Sequence, residues 1–146
     1  MKRFIISDPL NHTTYSEQMG IEGMSRVGTV SMRGATYEIF VCTNDPGKIP
    51  HFHLRDIDDW SKFHTYIRID KAEYFHHGNK QDILNAKEKK QLNDFMQSIS
   101  KKKLRRPGAE PIEITNWEYV CILWDDNNSD VEIADDVVQP DYTKLQ

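Results

Sequence analysis

Apolar and polar residues alternate through the first half of the chain, and a helical stripe replaces that alternation in the second. In "RVGTVSM", Val27, Thr29 and Ser31 oppose Gly28, Val30 and Met32. Arg33-Gly34-Ala35 offers a turn into "TYEIFVCTN", a run rich in β-branched and aromatic residues that ends on Asn44-Asp45-Pro46-Gly47. This predicts a β-hairpin. In "IPHFHLRD", Phe52 and Leu54 alternate with His51, His53 and Arg55. After a break at "DIDDWSK", Phe63, Thr65, Ile67 and Ile69 alternate with His64, Tyr66, Arg68 and Asp70. Lys71-Ala72 then turns the chain into "EYFHHG", closed by Gly78. Period-two patterning of this kind predicts about five mainly antiparallel strands over 26–78, each with one apolar and one polar face.

Two helices follow. Asn85 and Glu88 have capping-box spacing, and Leu92, Phe95, Met96 and Ile99 fall at i, i+3, i+4, i+7. The helix is expected to end within 97–103, ahead of Pro107-Gly108. Residues 115–127 carry strand-like composition but helical spacing. Thr115 and Glu118 form a second capping box, and Trp117, Val120, Cys121 and Trp124 make a stripe, so a helix is preferred. The predicted fold is α+β: an antiparallel sheet of about five strands with one or two helices packed on one face. An N-terminal arm (1–25) touches it through Phe4, Ile5, Ile6 and Tyr15, and an acidic tail (129–146) is loosely ordered, with Val137 and Val138 touching the body.

A chain of 146 residues fits a single domain and needs no metal or disulfide to fold. Its net charge of −4 argues against a general DNA binder. The charge is uneven, however. Residues 101–106 read "KKKLRR", whereas 125–141 hold Asp125, Asp126, Asp130, Glu132, Asp135, Asp136 and Asp141 and no Lys or Arg. Cys42 and Cys121 lack Cys-x-x-Cys spacing and are expected as buried thiols in a reducing compartment. No apolar run approaches membrane-spanning length, so no membrane association is expected and the cytosol is the expected location.

The block Asn44-Asp45-Pro46-Gly47-Lys48-Ile49-Pro50-His51-Phe52-His53-Leu54, followed by "YIRIDKAEYF" and a helix, resembles a family of small bacterial and phage-borne proteins carrying a Pro-His-Phe-His motif. Many are encoded near toxin–antitoxin genes. The resemblance covers about 70 residues. It departs at Ile49, where the family has a first proline, at the insertion "DIDDWSKFH" and in the extension after Lys103. It implies a fold and a genomic setting, not a mechanism.

Three kinds of chemistry are open. Side chains at i and i+2 of a strand project together, so His51 and His53, with His64 from a neighbouring strand and His77 or its neighbour His76, are a candidate set for Zn²⁺ or another divalent transition metal. That set carries the reading of a metal-assisted hydrolase. The imidazoles also suit acid–base work beside Arg55 or Arg68. No nucleophile elbow, phosphate-cradling loop or paired carboxylates accompany them, and a non-enzymatic role is favoured. Lys101, Lys102, Lys103, Arg105 and Arg106 are either a solvated helix end or a weak, salt-sensitive nucleic-acid contact. Arg55, Arg68, Trp117, Trp124, Asp125 and Asp126 are candidates for a protein partner, the tryptophans reading more readily as core or interface anchors. The expected function is a small protein-binding module, in a toxin–antitoxin or phage–host setting, whose acidic segment Asp125–Asp141 engages a basic surface.

Overall fold

The computed structural model describes residues 5–6, 24–42, 49–76, 82–105 and 108–146. Strands β2 (Met24–Met32) and β3 (Ala35–Cys42) form the predicted hairpin. Its two-residue turn places Arg33 at φ 52° and Gly34 at φ 70°. That left-handed pair matches the twist of the flanking strands, and glycine adopts it without steric cost. β4 (His51–Asp56) and β5 (His64–Arg68) continue an antiparallel sheet of order β2-β3-β4-β5. Of the expected fifth strand at "EYFHHG", residues 73–76 are described, and among them there is a single bridge, between Tyr74 and Ile67. Hydrogen bonds from Arg68 N–H to the Glu73 carbonyl and from Phe75 N–H to the Tyr66 carbonyl fold it back tightly on β5.

A second, three-stranded sheet was not anticipated. It has the order β1-β6-β7, formed by β1 (Ile5–Ile6), β6 (Ile99–Arg105) and β7 (Ile112–Thr115). The architecture is therefore α+β with two antiparallel sheets rather than one of about five strands.

Helix α1 (Ala86–Gln97) starts as its sequence predicts. The Asn85 side chain accepts from Glu88 N–H at 2.9 Å, and Glu88 Oε1 accepts from Asn85 N–H at 2.8 Å. Leu92 and Met96 are fully buried. The helix does not run on to Lys103. Ser98 caps it in an extended conformation, its N–H bonded to the Phe95 carbonyl. Asn116 holds the exit, its side chain donating to the Phe95 carbonyl at 2.8 Å and its N–H to the Ser98 carbonyl at 2.9 Å. Ile99 thus leaves the helical stripe and lies exposed, and the basic run is a strand, not a helix end.

Helix α2 (Asn116–Asn127) carries the second capping box, Thr115 with Glu118. It is wedged between the sheets. Trp117, Val120, Cys121 and Trp124 join the main core with Ile39, Phe52, Leu54 and Ile67. Tyr119 and Ile122 pack on Leu104 and Ile114 of the second sheet. A helix covered on two sides is apolar on two sides, and that blurred its period in the sequence.

The C-terminal segment is not loosely attached. Ile133, Tyr142 and Leu145 are all buried in the main core, and a short 3-10 turn spans Tyr142–Lys144. The Tyr142 hydroxyl donates to the Arg68 and Ile69 carbonyls at 2.9 and 3.2 Å, and its N–H bonds Asn93 Oδ1 at 2.9 Å. Of the expected contacts, Val137 packs at the core edge, while Val138 is exposed. No helix among the described residues is long and apolar enough to cross a membrane.

Candidate functional site

Both helices cover the face of the four-stranded sheet that carries Ile39, Phe52, Leu54 and Ile67. The opposite face holds the residues the alternation called polar. His51, His53 and Arg55 project there from β4, His64 and Tyr66 from β5, Glu38, Phe40 and Cys42 from β3. The register aligns Phe40 with His53, and His53 with Tyr66. This face is buried rather than wetted: His51 is 1%, His53 6% and His64 9% exposed.

Buried polar groups need partners, and the partners define the geometry. His53 is the hub. Its Nδ1 lies 3.2 Å from His64 Nε2, and its Nε2 lies 3.6 Å from Cys42 Sγ. Its ring stacks on Phe40 at 4.6 Å between centroids and meets Tyr66 edge-on at 4.8 Å. His51 packs between Phe75 and Trp124, and its Nδ1 donates to the Ile49 carbonyl at 2.7 Å.

These contacts decide how far the predicted metal set assembles. His53 and His64 present two nitrogens close together. Cys42, a plausible third donor, meets the opposite edge of the His53 ring, so one ion cannot bind all three. Among the described residues no three His, Cys, Asp or Glu side chains are placed to hold a metal ion. His77 lies outside the described residues.

Arg55 is no surface hand for a partner. It is 1% exposed and paired with Glu38, itself fully buried, while Arg26 reaches Glu38 Oε2 at 3.6 Å. The Arg55 guanidinium sits 3.2 Å from the Trp60 ring centroid and 4.4 Å from that of Phe40, a cation–π sandwich. Trp117 and Trp124 are likewise core residues, their indole N–H groups bonded to the Ile69 and Val131 carbonyls. Asp125 is buried and accepts the Ile133 N–H at 2.8 Å. Burial pushes its carboxyl up, against that bond. Hydrophobic burial and internal pairing thus remove four of the six expected contact residues from the surface. Arg68 remains half-buried, bidentate to Asp70, whose bonds raise the guanidinium further. Asp126 is exposed, as are Asp130, Glu132, Asp135 and Asp136.

The second sheet supplies what the first withholds. Strand alternation turns Ile99, Lys101, Lys103 and Arg105 to solvent, while Ser100 and Leu104 face inward and Lys102 is half-buried. Arg106 lies outside the described residues. Beside this basic strip a cleft of about 300 Å³ opens between β2 and β6, lined by Arg26, Gly28, Thr29, Phe95, Ile99 and Lys101. It combines cations, an exposed isoleucine and the outer edge of β2. The sequence showed the charges, but not which of them share a face, because the run read as helix.

No protein-family model matches the chain, and neither a curated protein nor a solved structure does.

Proposed function

We propose that the protein is a small non-enzymatic binding module that takes an extended, acidic segment of a partner protein along the β2–β6 cleft. The observation that carries this reading is the basic strip on β6 beside the cleft: Lys101, Lys103 and Arg105 at about 6–7 Å spacing, with Ile99 56% exposed at its end. Cations steer an acidic partner, and a desolvated apolar anchor supplies affinity. β2 is the edge of its sheet, so alternate main-chain groups point away from β3, the Ser31 carbonyl among them already accepting from the Gln91 side chain. An added strand can bond to these. The resemblance of the Pro-His-Phe-His block favours a partner from a toxin–antitoxin or phage–host setting. The acidic residues 126–136 then serve as a separate, solvated surface.

The test is a pull-down from the native host with wild type, Ile99→Asp and Lys101→Glu, at low and high salt. Proteins held by wild type at low salt, released by high salt and lost from both folded variants support the reading. An identical set held by all three rejects it. Wild-type binding of a single-stranded oligonucleotide that Lys101→Glu abolishes would replace it with the nucleic-acid alternative, whose phosphates favour the same three cations.

A further inference from the structure

We infer that Cys42, His53 and His64 form a nucleophilic thiol centre, with Cys42 as the attacking group, His53 as its base and His64 as the residue that orients the base. The reactants it suits are α,β-unsaturated carbonyl compounds. Cys42 is half-buried, at the end of β3. His53 Nε2 stands 3.6 Å from Sγ, and His64 Nε2 meets His53 Nδ1 at 3.2 Å. A nucleophile, a base and a group holding the base's far nitrogen are the three parts such chemistry requires. If His64 Nε2 accepts from His53 Nδ1–H, the lone pair of His53 Nε2 faces the thiol. Phe40 stacked on the ring and Tyr66 against its edge fix that orientation. The Asn128 side chain, donating to the Cys42 carbonyl at 2.9 Å, pins the strand end.

The step balances without a further reactant. The Sγ proton passes to His53 Nε2. The thiolate pair forms the S–C bond at the β-carbon, and the C=C π pair moves to the α-carbon. That carbanion takes the proton back from His53. The charge is shared between the α-carbon and the carbonyl oxygen until that proton arrives, and because no leaving group departs, no second proton donor is required. Among the described residues, the other charged and titratable groups on this face are Arg26 of β2, Glu38 of β3, His51 and Arg55 of β4, and Tyr66 and Arg68 of β5. Glu38 is engaged by Arg55 and Arg26, and Arg68 by Asp70 and Glu73. His53, with Nε2 at 3.6 Å, is a base in contact with the sulfur. The other cysteine is an internal control: Cys121 is fully buried, and burial pushes its thiol well up.

The probe is N-ethylmaleimide, with adduct sites read by peptide mass spectrometry on the full chain. Cys42 is expected to be labelled and Cys121 spared. The Cys42 rate should change less than about threefold between pH 6 and 8, whereas an unassisted thiol gains about tenfold per unit below its ordinary pKa of about 8.5. His53→Gln should slow labelling at neutral pH by about tenfold or more and restore the steep profile. His64→Gln should shift the profile to higher pH while leaving the alkaline rate unchanged. A wild-type rate that climbs tenfold per unit overturns the inference without any variant, as does a His53→Gln profile identical to wild type. So does labelling of Cys121 in preference to Cys42.

Discussion

Replacing Tyr142 tests whether the last turn of the chain is part of the core. The phenol ring is fully buried against Phe52, at 5.8 Å and nearly perpendicular, and its hydroxyl reaches two carbonyls of the β5 end. Truncation to alanine removes an aromatic ring from a closed site, which costs about 3–5 kcal/mol. Tyr142→Phe keeps the ring and loses only the hydroxyl bonds. The Ile69 carbonyl still accepts from the Trp117 indole at 2.9 Å, so the cost should be about 1 kcal/mol. At roughly 4 °C per kcal/mol for a chain of this length, the alanine variant should melt about 12–20 °C below wild type and the phenylalanine variant about 4 °C below. Thermal unfolding followed by far-UV circular dichroism gives the melting shifts, and urea unfolding gives the free energies. An alanine variant within about 1 kcal/mol of wild type would refute the docking of the tail. The same contacts mean that deleting 129–146 removes Ile133, Tyr142 and Leu145 from the core. Lost binding in that deletion would report unfolding, not the loss of an acidic contact.

Two further outcomes are expected. Arg55→Ala should destabilise by about 3–5 kcal/mol, because it strips the closest partner from a carboxylate with no solvent exposure; a stable variant with altered partner capture would return Arg55 to a binding role. Stability should fall in alkali. Burial raises the Tyr142 phenol well above its ordinary value and pushes Tyr119 up to about 12. Above about pH 10 the unfolded chain releases these protons first. The tyrosines' contribution is thus complete below about 10 and lost as pH rises through the folded values. Urea midpoints at neutral pH and near pH 11 check the sign, and an unchanged midpoint would contradict it.

What was legible in the sequence is what neighbours along the chain decide. Both capping boxes, at Asn85–Glu88 and Thr115–Glu118, involve residues three apart and formed as written. The Arg33-Gly34 turn and the alternation of β3, β4 and β5 are equally local. The premise that His51 and His53 share a face held. That this face is hydrophilic and wet did not, since period two separates two faces without saying what covers either. Cys42 next to His53 followed only once the register was known, because strand pairing joins residues eleven apart. Lys101 to Arg105 became a strand through pairing with Ile112–Thr115 and through the bonds Asn116 makes across the end of α1. The acidic segment became core because three apolar side chains outweigh the charges around them once a pocket exists to receive them. Sequence thus determined the elements whose hydrogen bonds close within a turn. The tertiary structure decided burial, register and the identity of 99–105, because those depend on contacts whose partners are distant in the chain.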